Sequence, residues 1–210
     1  SGLFTARSGG RVETVAPEYT LDRHLRRILA SVDADRIRRA GLAAAIDPCN
    51  GAGGILLPQL LAELGVDARF INADTTGRFA HSPEPTPENL QELGRAVLAN
   101  GSNLGFAIDP DADRVALVGE DGRAVGEDYS LALAVQTITS PPRRRGPVVT
   151  TLSTSQIVTD AARRNGCPVL LTAVGEVHVT EKMREEKAVI GGEGNGGVIL
   201  TEGDQGRDAA

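Results

Sequence analysis

In the stretch LGFAIDPDADRVALVGEDGRAVGE, Leu104 to Glu127, Asp109, Asp111 and Asp113 stand at alternate positions, Arg114 follows at once, and an apolar run lies on each side. Three carboxylates this close repel one another unless a cation joins them, and an all-oxygen ligand set suits a hard ion such as Mg2+. An arginine beside that ion can meet a phosphate with two parallel N–H donors. The chemistry on offer is the handling of a phosphoryl group. The plainer alternative is a solvated acidic turn, since turns are rich in aspartate. The apolar run leading straight into the triplet speaks against it.

Two other loop types share part of this spacing. An EF-hand wants Asp at positions one, three and five and Glu at twelve, which Asp109, Asp111, Asp113 and Glu120 satisfy. It also wants glycine at position six, where Arg114 stands, and helices on both sides, where these flanks read as strands. A haloacid-dehalogenase-like phosphatase ends a strand in DxDxT, its first aspartate the nucleophile. Here Asp113 takes the threonine's place, so that resemblance is partial. It defines a rival reading, a Mg2+-dependent phosphatase attacking through Asp109.

The elements that must hold this loop follow from periodicity. Leu21, Leu25, Ile28, Leu29 and Val32 form one helical stripe. A strand over 42–46 runs into the glycine-rich turn of IDPCNGAGG, and a helix over 55–63 follows, with Pro58 tolerable near its first turn. A strand over 68–71, a long polar loop, and a helix opening at Pro87 and Glu88 lead to the strand 104–108. After 115–118 and a tight turn over 120–123 come a helix over 129–138, strand 148–152, helix 156–164, strand 169–172, helix 177–186 and strand 188–190. This alternation predicts an α/β fold, two similar three-layer α/β/α domains with mixed, largely parallel sheets. Residues 1–17 read as a linker or the remnant of a preceding domain, 18–125 as the first domain and 126–210 as the second.

Composition narrows the partners. A formal charge of −6 argues against nucleic acid or an anionic membrane. The run Arg143, Arg144, Arg145 after two prolines reads as a solvated loop. Cys49 and Cys167 form no CxxC pair, which removes a disulfide framework or structural zinc and fits a reducing compartment. No apolar run approaches the ~20 residues of a membrane span, so the expectation is a soluble, cytoplasmic protein.

A second motif, AVIGGEGNGGVIL from Ala188 to Leu200, sets Glu193 and Asn195 in a glycine-rich turn between apolar runs. A carboxylate and an amide there offer complementary hydrogen bonds to vicinal hydroxyls, as on a sugar ring. Alone, such a turn is usually just a hairpin.

Taken together, the motifs resemble the α-D-phosphohexomutase family, which includes phosphomannomutase/phosphoglucomutase and phosphoglucosamine mutase, over nearly the whole chain. IDPCNGAGG resembles the opening turn of that family's second domain, and HSPEPTPENL the loop and helix start that follow. DPDADR is similar to its Mg2+ loop, often DGDGDR, and GEGNGG to its sugar loop, often GExSGH. AVGEVHV, Ala173 to Val179, resembles the loop that helps select the sugar epimer. The resemblance implies that Asp109, Asp111 and Asp113 ligate Mg2+, that Arg114 contacts the phosphoserine or substrate phosphate, and that Glu193, Asn195, Gly175 and Glu176 bind the sugar. Gly197 and Glu176 stand where many members carry histidine, so the choice among glucose, mannose and glucosamine phosphates does not transfer.

The family's phosphoserine lies in a first domain, in a motif close to TASHNP that this chain lacks, and Ser82 is not expected to replace it. The expectation is a central fragment, domain two and most of domain three, whose partners are a phosphosugar and domains one and four. The implied parent interconverts hexose 1-phosphate and hexose 6-phosphate, and the fragment alone is inactive. A non-catalytic sugar-phosphate-binding module is the alternative outside enzymes.

Overall fold

The computed structural model describes residues 10–143, 145–201 and 206–209. Arg144 of the basic run, residues 1–9 of the expected linker, and 202–205 and 210 of the expected second domain lie outside them. Residues 10–16 are exposed and carry no regular structure.

Strand β1 (Ala43–Asp47) is central to the first sheet, which it builds with β2 (Asp67–Phe70), β3 (Leu104–Ile108) and β4 (Val115–Gly119) in the order β2-β1-β3-β4. β2 and β3 run parallel to β1, and β4 returns antiparallel to β3. Alanine is a poor strand former, yet Ala44 and Ala45 are fully buried, one on each face. Their small side chains let helices close on both sides. Ala44 and Ile46 face Leu25 of α1 (Pro17–Ser31) and Leu57, Leu60 and Leu61 of α3 (Gly53–Glu63). Ala45 faces Leu93 and Val97 of α4 (Gln91–Asn100). Three layers result.

The second sheet repeats the plan with β5 (Val148–Thr151), β6 (Val169–Thr172), β7 (Ile190–Gly192) and β8 (Val198–Leu200) in the order β6-β5-β7-β8. Two neighbours are again parallel to the central strand and the last is antiparallel. Val148 packs with α5 (Asp128–Thr139) and α6 (Gln156–Arg164), while Val149 on the opposite face meets Val179 and Met183 of α7 (Glu176–Glu186). The expected α/β class and its two mixed, largely parallel sheets are what the chain adopts.

Four local expectations shift. A short helix α2 (Ala34–Ala40) has no apolar stripe to announce it and buries no residue; Asp33 caps it, accepting from Arg36 N–H, and Gly41 ends it in the left-handed region. Helix α3 begins at Gly53, so Pro58 lies inside it. Helix α4 begins at Gln91, because 86–90 form turns whose carbonyls at Thr86 and Pro87 receive Asn89 and Leu90 N–H. Strand β7 begins at Ile190 because pairing with β5 runs over Ile190–Gly192. Among the described residues no helix is long and apolar enough to cross a membrane.

Candidate metal and phosphate site

The acid loop leaves the buried end of β3 and closes on itself. Asp109, 1% exposed, accepts Asp113 N–H and Arg114 N–H at Oδ1, both at 3.0 Å, and Arg114 Nε–H at Oδ2 at 2.6 Å. Ala112 N–H bonds to Asp109 O, with Ala112 in the left-handed region at φ 60°. The glycine-rich turn after β1 braces the loop from below: Ala52 N–H donates to Pro110 O at 2.8 Å, and a Cβ on Gly51 would strike the Pro110 backbone. That close approach explains the glycine.

One carboxylate oxygen from each of Asp109, Asp111 and Asp113 lies within 4.8 Å of the other two. Oxygens on opposite sides of one Mg2+ stand about 4.2 Å apart, twice its usual bond length. The three carboxylates are thus grouped closely enough for one hard cation to join, and their all-oxygen donor set suits it. Burial would raise the Asp109 carboxyl, but hydrogen bonds and charge from Arg114 hold it below the usual carboxylate range. Asp113 goes the other way, pushed up to about 6 by burial and by Asp109 and Asp111, against the opposing charge of Arg207.

Arg114 carries charge at any physiological pH: burial disfavours its cation, and Glu84 and Asp109 overcome that. Its Nη1 donates to Glu84 Oε2 at 2.8 Å.

The two predicted motifs meet across the domain junction. Val115 N–H donates to Gly196 O at 3.2 Å, and Arg114 and Gly197 form an isolated antiparallel bridge. Gly196 has φ 93°, and a Cβ there would press on the Val115 carbonyl. Glu193, 7% exposed, accepts Gly175 N–H at Oε1 at 2.9 Å, which ties the glycine-rich turn to the loop before α7. Asn195 Oδ1 accepts Gly197 N–H at 3.2 Å. Glu176 Oε1 accepts Arg207 N–H at 3.1 Å.

Arg207 is a site residue that no sequence motif marked. Its Nη2 lies 2.5 Å from Asp113 Oδ2 and its Nη1 3.3 Å from Glu193 Oε2, so one guanidinium joins the acid loop to the Glu193 turn. The 3.3 Å approach of its Nε to Glu176 Oε2 is an ion pair in distance alone, because that N–H has no hydrogen-bond partner among the described residues. A lone arginine in TEGDQGRDAA carries no period or spacing that would mark it. Glu84 and the pair His81–Asp47 were missed as well: their loop connects β2 to α4, far in sequence from what they touch.

Ser82 is exposed, and its carbonyl faces His81 Nδ1 at 2.8 Å. An open cleft of about 510 Å3 runs from Asp111 and Arg114 along Asn50, Ile55 and Phe79.

Two repeated α/β/α units thus meet at a cluster of carboxylates and guanidinium groups. Residues 22–122 match the family model of phosphoglucomutase/phosphomannomutase α/β/α domain II, and residues 126–210 match domain III. The chain belongs to the phosphoglucomutase/phosphomannomutase family. It is 40% identical over 180 residues to a phosphoglucomutase/phosphomannomutase of Thermococcus kodakarensis, which covers 85% of this chain and 39% of that protein. A phosphoglucosamine/phosphogalactosamine mutase of Sulfurisphaera tokodaii is 30% identical over 200 residues, 94% of this chain and 44% of that protein. A crystal structure of a phosphoglucomutase/phosphomannomutase family protein from Burkholderia thailandensis superposes with TM-score 0.81 at 27% identity, over 90% of this chain and 41% of that one. The chain thus spans roughly two fifths of the length of the relatives it matches.

Proposed function

We propose that this chain is the central part, domain II cut from domain III near Val125, of a Mg2+-dependent phosphohexomutase. The parent would interconvert hexose 1-phosphate and hexose 6-phosphate, passing a phosphoryl group from a phosphoserine outside this chain to the sugar and back through a bisphosphorylated sugar. The observation that carries this reading is the junction itself, where the acid triplet and the Glu193 turn are joined by Arg207. A phosphate handler and a hydroxyl binder side by side suit a phosphorylated sugar.

In this reading Asp109, Asp111 and Asp113 hold the metal, which would supply positive charge against the transferring phosphoryl oxygens. Arg114 presents its outer N–H donors to the phosphate, anchored through Nε by Asp109. Glu193 and Asn195 receive the sugar hydroxyls, and Gly175 and Glu176 flank them. The soluble, reducing cytoplasm expected for the chain is compatible with its two free buried cysteines.

The phosphatase reading departs from its own motif, because Asp113 stands where DxDxT carries threonine.

The decisive experiment is a coupled mutase assay with Mg2+, glucose 1-phosphate and a trace of glucose 1,6-bisphosphate. The 210 residues alone are expected to show no turnover, whereas the longer parent is active. In the parent, Asp111→Asn is expected to weaken Mg2+ dependence and to lower kcat. Unchanged kinetics would remove the metal assignment.

A further inference from the structure

We propose that Glu84 is a gatekeeping carboxylate that competes with the phosphoryl group for the outer N–H donors of Arg114. This deepens the phosphate reading of Arg114 and rests on it. Arg114 has two working edges. Its Nε edge is committed to the buried Asp109 at 2.6 Å. Its outer edge faces Glu84, with Nη1 to Oε2 at 2.8 Å and Nη2 to Oε1 at 3.5 Å, a two-pronged approach of the kind a phosphate would make. Glu84 and a phosphate therefore need the same donors.

The two ends of Glu84 are held differently. Its backbone is fixed: Glu84 O accepts from Thr86 N–H and Asn89 Nδ2, both at 2.8 Å, and Pro83 and Pro85 restrict the chain on either side. His81 pins the same loop to Asp47 through Nε2 at 3.0 Å. The carboxylate end is loose, with the Glu84 side chain 60% exposed against 20% for Arg114. Glu127 is a second acid near enough to feel it, its carboxyl pushed up by burial and then by the charge of Glu84. A side chain so placed holds the guanidinium in register, swings into solvent at little cost, and yields to an anion stronger than itself. A dianionic phosphate meets that condition, and a monoanionic carboxylate does not.

The alternative role, a strut that merely positions Arg114, predicts the opposite sign. The test is titration of the 210-residue chain with inorganic phosphate in EDTA, followed by calorimetry, comparing Glu84→Gln and Glu84→Ala with the unchanged chain. Thermal melts confirm that each variant is folded. Removing an exposed competitor of ordinary strength should tighten phosphate binding about two- to fivefold. Arg114→Met should abolish binding in all three backgrounds. If the Glu84 variants bind phosphate equally or more weakly while Arg114→Met still abolishes binding, gatekeeping is overturned and the phosphate reading stands. If Arg114→Met binds as the unchanged chain does, the phosphate reading fails and takes this inference with it.

Discussion

Asp113→Asn is expected to stabilise the chain at pH 8, although Arg207 lies only 2.5 Å from the Asp113 carboxylate. Burial acts most strongly on this carboxyl, Asp109 and Asp111 add to it, and they outweigh a guanidinium that is also shared with Glu193 and Glu176. The group is carried from its ordinary 3.8 to about 6. Between those values the native state keeps a proton that the unfolded chain has released, so stability falls as pH rises through that window and stays lowered above it. At about 1.4 kcal/mol per tenfold change in proton affinity, the ionised carboxylate costs the fold about 3 kcal/mol at pH 8 and about 1 kcal/mol at pH 4.5. Asparagine mimics the neutral form and should recover most of that. The assay is urea unfolding in EDTA at both pH values, where the midpoint should move and the slope should not. Mg2+ at ten times its Kd should add about 1.4 kcal/mol to the unchanged chain and far less to the variant. A midpoint for Asp113→Asn at or below that of the unchanged chain at pH 8 would show that Arg207 outweighs burial, and would refute the reasoning.

His81 gives a pH dependence of its own. Burial disfavours its imidazolium, but the Ser82 carbonyl and the Asp47 carboxylate win and raise its pKa. The stabilisation is complete below the ordinary value of 6.5 and is lost as pH rises through the folded value, so His81→Gln should flatten the decline in stability above pH 6.5. Parallel curves for the two proteins would rule this out. At the domain junction, the buried Ser130 Oγ donates to Val115 O at 2.5 Å. Ser130→Ala should cost about 1 kcal/mol in urea unfolding and speed proteolysis of residues 120–127; an unchanged midpoint would count against a role for this bond.

How far the sequence reached depended on whether a feature was local. Strand 104–108 and helix 156–164 have the boundaries read from periodicity, because burial on a sheet face or along a helix stripe is written in consecutive residues. Helix α2 fully buries no residue and leans on the core only through Ala34 and Ile37, too few to make a stripe. The acid triplet was legible because its residues neighbour one another in the chain. Arg207 and Glu84 reach the same place from sequence separations that no spacing rule covers, and Arg207 touches residues of two different domains.

The repeated plan of the two sheets explains why chemistry gathers where it does. Each sheet ends in an antiparallel hairpin, β3–β4 in one and β7–β8 in the other, and each hairpin turn carries one motif, DPDADR or GEGNGG. In an open α/β sheet, ligands bind beyond the carboxyl ends of the parallel strands, and β3 and β7 deliver their turns at those ends. Two such turns on separate sheets would make two half-sites. Here they abut through Val115 and Gly196, and Arg207 bridges their carboxylates. The units differ chiefly after their second parallel strand, where residues 71–90 form a long loop in the first and 173–175 a short one in the second. The long loop brings His81 to Asp47 and Glu84 to Arg114 of the acid turn, and the short one leaves Gly175 against Glu193. A repeated scaffold thus differs between its halves through unequal connections, while the paired hairpins keep the two halves in contact.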